Sequence, residues 1–227
     1  MKPQPKALAI AAFGARGTGK TAWVIQQLER IKPKRLVIWN HKHDPTLRGG
    51  PWVALGNLGE VARAAMAPAF SICYMVDHGK DVQAQFDLFC RIAYQAGNLT
   101  MWVDELPEVT KANRAPPAWK TCVNVGREYM VDGQIKRLTI IGTGQRPAEC
   151  DKSFIGNLDV LHTGRLGDLG DCKRIAGSWG IKPDELAGMP DLHYIEKRAD
   201  SNQLIRGVLT FSKPKPQPPK GKKETKA

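Results

Sequence analysis

The stretch Gly14-Ala15-Arg16-Gly17-Thr18-Gly19-Lys20-Thr21 constrains this chain more than any other. It fits G-x-x-x-x-G-K-[ST], a pattern with a physical basis. Glycines let the backbone curl until successive N–H groups face one point, which makes a cradle for phosphate oxygens. A helix starting at the end of the loop adds the positive end of its dipole. The pattern therefore needs a strand before it and a helix after it. Both flanks comply: the apolar run Ala7 to Phe13 precedes the loop, and the helix-like segment Thr21 to Ile31 follows it. Gly14, Ala15, Arg16, Gly17, Thr18, Gly19, Lys20 and Thr21 are the expected phosphate cradle. Lys20 is placed to reach the β- and γ-phosphates and the Thr21 hydroxyl to ligate Mg²⁺, so ATP with Mg²⁺ is the expected ligand pair.

Strand-like and helix-like segments alternate along the rest of the chain. Leu36 to Trp39 reads as a strand, followed by the polar loop Asn40-His41-Lys42-His43-Asp44. Its two histidines lack the partner cluster that would make them metal ligands. Leu58 to Ala67 reads as a helix capped by Asn57 and stopped by Pro68. Phe70 to Val76 is an apolar strand. Val82, Phe86, Phe89 and Ala93 recur at helical spacing, which predicts a helix over 82–96. Leu99 to Val103 is a strand, Leu106 to Lys120 a loop with prolines and lysines, and Val123 to Tyr129 helical. Strands follow at Leu138 to Gly142 and Val160 to Thr163. Leu192 to Glu196 and Leu204 to Phe211 form a closing hairpin. This alternation predicts an α/β domain over 1–211, a mostly parallel sheet flanked by helices, with ligands bound at the carboxyl ends of the strands. From Ser212 onward four prolines alternate with six lysines against one glutamate. Such a segment has too little apolar surface to fold, so 212–227 is expected to be an extended, disordered basic tail.

Two further strand ends carry chemistry. Thr100-Met101-Trp102-Val103-Asp104-Glu105 is an apolar strand ending in two acids. Asp104 is placed to share the Mg²⁺ shell with Thr21. Glu105 is placed to orient or deprotonate a water attacking the γ-phosphate, which favours hydrolysis over transfer to a small acceptor. Leu138-Thr139-Ile140-Ile141-Gly142-Thr143-Gly144-Gln145-Arg146-Pro147 also ends in polar groups. There Gln145 either contacts the γ-phosphate or attacking water, or is a turn residue before Pro147.

The order of the glycine loop, Trp102-Val103-Asp104-Glu105, Val125-Gly126-Arg127-Glu128-Tyr129 and Gly142-Thr143-Gly144-Gln145-Arg146-Pro147 resembles the HerA/FtsK superfamily of DNA-pumping ATPases. Gly156 to Leu166, Asp171 to Ile175 and the final hairpin resemble it too, so the likeness covers roughly Ala7 to Phe211. The chain is most similar to the small genome-packaging ATPases of tectivirus-type viruses, which have an internal membrane. The family often has an acid after its second strand, where this chain has Asn40. The resemblance implies a P-loop NTPase of the ASCE/RecA-like kind. It implies a homo-oligomeric, hexameric ring with ATP between subunits and double-stranded DNA through the centre. It also implies a capsid or portal-vertex partner, a membrane-protein contact at the vertex, and work in the host cytoplasm during assembly or on the virion at the packaging vertex. Arg127 matches the family's Gly-Arg segment and is the expected arginine supplied to a neighbouring subunit's γ-phosphoryl group; Arg146 and Arg165 are runners-up. Rival readings are a filamentous-phage assembly or extrusion ATPase of the zonula-occludens-toxin-like group, and a small-molecule kinase.

The charge balance agrees with an anionic partner. Thirty-four lysines and arginines against 22 acids leave a formal charge of +12, which favours nucleic acid over an acidic membrane face. Lys111, Arg114 and Lys120, in the loop after the acid pair, are candidate phosphate contacts on double-stranded DNA, binding without reading bases. Trp119 nearby reads as a packing residue or a base-stacking one. The five cysteines form no C-x-x-C pair, so neither a zinc site nor a redox dithiol is expected. Their odd number, and an N-terminus unlike a signal peptide, point to a reducing compartment.

Overall fold

Strand β1 (Ala9–Phe13) is buried along its whole length, as a central strand covered on both faces must be. The computed structural model describes residues 6–201 and 203–211; the tail expected at 212–227 lies outside them. After β1 the chain runs through α1 (Lys20–Ile31), β2 (Arg35–Asn40), α2 (Pro45–Arg48), β3 (Val53–Leu55), α3 (Leu58–Ala64), β4 (Phe70–Met75), α4 (Val82–Ala96) and β5 (Leu99–Val103). It continues through α5 (Leu106–Val109), α6 (Pro117–Val125), β6 (Tyr129–Val131), β7 (Gln134–Lys136) and β8 (Leu138–Gly144). The last elements are α7 (Lys152–Gly156), β9 (Val160–Thr163), α8 (Leu169–Trp179), α9 (Pro183–Ala187), β10 (His193–Arg198) and β11 (Leu204–Val208).

Among the described residues nine strands form one sheet in the order β11-β10-β9-β1-β8-β5-β2-β4-β3. The pairs from β9 through β3 are parallel, and β10 runs antiparallel to both its neighbours. The period of two along each strand sends alternate side chains to opposite faces. Ala9, Ala11, Phe13, Val37 and Trp39 join the core under α3, α4, α6 and α8. Ile10, Ala12, Leu36 and Ile38 join the core under α1, with Trp23, Val24 and Leu28. The result is a three-layer α/β fold with β1, β8 and β5 at its centre.

The segment read as one loop over 106–120 is more ordered than expected. It holds α5, then a tight turn in which Lys111 and Arg114 exchange backbone hydrogen bonds, then the start of α6. Pro117 sits at the first helical position, where its missing N–H costs nothing. Lys120 is therefore on a helix, and that helix ends at Val125, not Tyr129. Residues 129–136 form a hairpin instead of helix. Asp132 (φ 50°) and Gly133 (φ 73°) both take positive φ, as a two-residue Asp-Gly hairpin turn demands. The structure also adds α8, capped by the Asp168 carboxylate, which accepts from Asp171 N, and closed by Gly180 in the left-handed region at φ 70°.

Candidate nucleotide site

The parallel strands deliver their following loops to one edge of the sheet. The glycine loop leaves β1 there and is pinned on both sides. Gly14 N donates to the Gly144 carbonyl at the end of β8 (3.3 Å), and Ala15 N to the Arg165 carbonyl beyond β9 (2.6 Å). Gly17 and Gly19 adopt φ of 84° and 88°, which side chains disfavour. At Gly19 an added Cβ would also stand 2.7 Å from Leu209 Cδ2, so the closing hairpin packs directly against the loop. Thr18 Oγ1 donates to the Ala15 carbonyl (2.9 Å). Arg16 is exposed on the outer turn, and Thr21 lies in the first turn of α1. Lys20 Nζ donates to the Gly14 carbonyl (2.8 Å) and the Ala15 carbonyl (2.9 Å), which holds the ammonium over its own loop. Burial lowers the proton affinity of Lys20, and the negative charges of Glu105 and Asp104 oppose that shift.

β5 brings the acid pair to the same edge. Asp104 is buried, 9% exposed, and accepts a hydrogen bond from Thr143 Oγ1 on β8 (2.8 Å). Desolvation raises its pKa from 3.8 to about 6; the Thr143 hydrogen bond opposes the rise, while the charges of Glu105 and Asp44 add to it. Glu105 follows in the left-handed region at φ 52°, a conformation that costs a side-chain-bearing residue about 1–2 kcal/mol. The turn that starts α5 imposes it. The Glu105 carboxylate meets Gln145 Nε2 (3.3 Å) and Lys42 Nζ (2.9 Å). The strand ends read from the sequence thus converge: glycine loop, Asp104, Glu105 and Gln145 share one edge.

The residues present fit a Mg²⁺ ion. Asp104 is a hard-oxygen donor buried at the end of β5, and Thr21 offers a hydroxyl in the first turn of α1. Among the described residues no cluster of three or more His, Cys, Asp or Glu could hold a metal. Mg²⁺ needs none, since it takes one or two carboxylates and completes its shell with phosphates and water.

The arginines are placed elsewhere. Arg127 is not brought to the glycine loop of its own chain. It lies at the opposite, amino-terminal edge of the sheet, where it pairs with Asp159 Oδ1 (3.0 Å) and donates to the Asn157 carbonyl (2.6 Å). Asp159 in turn accepts from Ala9 N at the start of β1 (2.8 Å). Arg146 is bound to the buried Asp171 (2.7 Å) and to Asp168 (3.2 Å), tying the end of β8 to the start of α8. Arg165 pairs with Asp191 (2.8 Å).

Of the basic residues after the acid pair, Lys111 Nζ donates to the Pro107 carbonyl (2.8 Å) and lies 4.0 Å from Glu149. Arg114 and Lys120 are exposed. Trp119 is fully buried with Nε1 donating to Asp151 (3.1 Å), so it packs and does not stack on bases. All five cysteines are buried and unpaired. Sequence reasoning missed Lys42 and Thr143. Thr143 had one usable signal, a hydroxyl on the strand beside the acid pair. Lys42 had none beyond its place after β2.

No protein-family model matches the chain. Protein P9 of Pseudoalteromonas phage PM2 is 21% identical over 183 residues, 79% of this chain and 78% of that protein. Among solved structures, the genome packaging NTPase B204 of Sulfolobus turreted icosahedral virus 2, in complex with AMPPCP, superposes with a TM-score of 0.68 at 12% identity, covering 90% of this chain and 98% of that one. This chain has the P-loop NTPase fold. The bacterial conjugative coupling protein TrwB, lacking its N-terminal segment, superposes with a TM-score of 0.63 at 10% identity, covering 93% of this chain and 91% of that one. The N-terminal domain of zonular occludens toxin from Neisseria meningitidis gives 0.51 at 13% identity, covering 92% and 96%. The likeness to small packaging ATPases read from the sequence is thus met by a packaging NTPase of the same fold. Identities this low establish the fold alone.

Proposed function

We propose that this chain is an ATP-hydrolysing motor subunit that translocates double-stranded DNA, packaging a viral genome. The observation that carries this reading is the convergence on one sheet edge of the glycine loop, a buried Asp104 and a Glu105 braced by Gln145. In this reading the loop N–H groups and Lys20 bind the β- and γ-phosphates. Mg²⁺ held by Thr21 and Asp104 would neutralise phosphate charge. Glu105 accepts the proton of the water that attacks the γ-phosphorus, and ADP leaves. Gln145 touches Glu105 and so couples the end of β8 to the state of the γ-phosphate. The similarity to a genome packaging NTPase and to a conjugative coupling protein supports DNA as the cargo.

The motor works as a homo-oligomeric, hexameric ring, on a capsid or portal vertex and its membrane protein, in the host cell during virion assembly. In a head-to-tail ring, the residue that completes a site comes from a different face than the site itself. In this reading Arg127, 41% exposed at the edge opposite the glycine loop, takes that role by exchanging Asp159 for the neighbour's phosphate. Lys111, Arg114 and Lys120 contact DNA phosphates. A second reading, assembly or extrusion of a filamentous phage, is favoured by the likeness to the zonular occludens toxin domain.

The test is the ATPase rate with and without linear double-stranded DNA, for the natural chain and for Glu105→Gln. DNA should stimulate the natural chain. Glu105→Gln should bind ATP yet turn over at least about 10²-fold more slowly, the low end for a general base. An unchanged rate per bound ATP in Glu105→Gln refutes the hydrolytic assignment. Hydrolysis indifferent to DNA favours the filament reading.

A further inference from the structure

Lys42 brings a charge into the nucleotide edge that none of the sequence motifs accounts for, and its loop is built to hold it there. β2 ends in the buried Asn40. The Asn40 side chain accepts from Asp44 N (2.8 Å) and donates to the Asp44 carbonyl (3.3 Å), closing the loop on itself. His43, at φ 54°, has its Nε2 2.6 Å from the Val76 carbonyl. His78 Nε2 lies 2.7 Å from the carbonyl of His41. Carbonyl oxygens only accept, so both ring nitrogens carry the proton and donate. The residues on either side of Lys42 are therefore tied to the end of β4, which fixes the direction in which the Lys42 side chain leaves.

That direction leads to Glu105. In the sheet, β5 lies between β2 and β8. Lys42 reaches Glu105 Oε1 from the β2 side at 2.9 Å, and Gln145 reaches the same oxygen from the β8 side at 3.3 Å. Among the described residues Oε2 takes no hydrogen bond. One carboxylate oxygen is thus held from both flanking strands and the other is left for a ligand.

We propose that Lys42 is a positioning residue for ATP hydrolysis: it clamps Glu105 through Oε1 so that Oε2 is presented to the attacking water. This rests on the reading of Glu105 as the base. The clamp matters because a glutamate has three side-chain torsions and a base works only within hydrogen-bond reach of the proton it takes. The left-handed backbone at Glu105 sets where the side chain starts, and Lys42 with Gln145 sets where it ends.

The experiment is a double-substitution cycle on the full chain, using ATP hydrolysis at saturating ATP and binding of a fluorescent ATP analogue. Lys42→Met keeps the stem and removes the charge. The Lys42 side chain is 49% exposed, so this change should leave the fold intact, and retained analogue binding verifies that. Lys42→Met should lower kcat at least about tenfold, a share of the 10²–10⁴ a general base supplies, with KM changed less than about threefold. Lys42→Arg, which can still donate to Oε1, should recover most of the loss. In the Glu105→Gln background, Lys42→Met should cost nothing further, because a residue that acts through Glu105 has nothing left to position. An equal loss in both backgrounds overturns the proposal and makes Lys42 a phosphate ligand acting on its own. A change in KM alone overturns it as well. If Glu105→Gln itself turns over normally, the assignment of Glu105 falls and this inference falls with it. If Glu105→Gln is slow but the cycle is additive, only the inference falls.

Discussion

Asp104→Asn should stabilise the nucleotide-free protein at neutral pH while abolishing turnover. Asp104 is 9% exposed, and burial raises its pKa from 3.8 to about 6. The folded chain therefore holds a proton at this site that the unfolded chain has already released between those two values. Stability must fall as pH rises through that window, with the full cost present above pH 6. At 1.36 kcal/mol per pK unit the cost is about 3 kcal/mol. An asparagine does not titrate and can still accept from Thr143. The variant and the natural chain should accordingly be equally stable near pH 4 and diverge to about 3 kcal/mol by pH 7. At roughly 2–4 °C per kcal/mol for a chain of this size, the variant would melt some 6–12 °C higher. Urea unfolding of both proteins at half-unit steps from pH 4 to pH 8, without nucleotide, measures the difference. Adding Mg²⁺ and ATP should then stabilise the natural chain and leave the variant nearly unchanged, because the amide cannot supply the charge that the cation needs. A stability difference constant across the pH range, or a variant less stable at pH 7, would refute the claim that Asp104 bears the cost of a desolvated carboxylate.

Arg127→Ala should leave nucleotide affinity nearly intact and slow hydrolysis by up to about 10³-fold, the low end for a trans arginine. Mixing it with Lys20→Ala subunits should restore some activity at interfaces that pair an intact Lys20 with an intact Arg127, and no rescue in demonstrably mixed rings would leave Arg127 a structural role through Asp159 and Asn157. DNA binding should weaken steeply with salt, since it rests on phosphate contacts. Replacing Lys111, Arg114 and Lys120 with glutamine should lower DNA-stimulated ATPase while sparing the basal rate, and stimulation that survives in the triple variant would move the DNA path elsewhere.

What could be read from the sequence divides along physical lines. β1, β5 and β9 announce themselves as short apolar runs, because strands covered on both faces are apolar nearly throughout, and α4 by its helical period; Val82–Ala96, Leu99–Val103 and Val160–Thr163 match the expected bounds to the residue. The glycine loop, Asp104, Glu105 and Gln145 were legible because each follows such a strand. The four-residue α5 buries Leu106, Pro107 and Val109 but is too short to show a period, and the Lys111–Arg114 turn and the β6–β7 hairpin bury little. Their marks are local, as in Pro117 at a helix start and Asp132-Gly133 at a turn. The links across the site were least legible. Thr143 to Asp104 spans 39 residues, Gln145 to Glu105 spans 40, and Lys42 to Glu105 joins the ends of β2 and β5. These contacts depend on strand order, and strand order is fixed by how the crossovers pack. Asn40 shows the consequence. Position 40, where the resemblance read from the sequence leads one to expect an acid, is a neutral amide that folds its loop back on Asp44. That loop carries Lys42 across the edge to the carboxylate that the proposed chemistry needs. A chain with an acid in place of Asn40 would add to the negative charges of Glu105 and Asp44 that already act on the buried Asp104 and that Lys42 opposes, so the neutral residue and the lysine two positions later belong to one electrostatic arrangement.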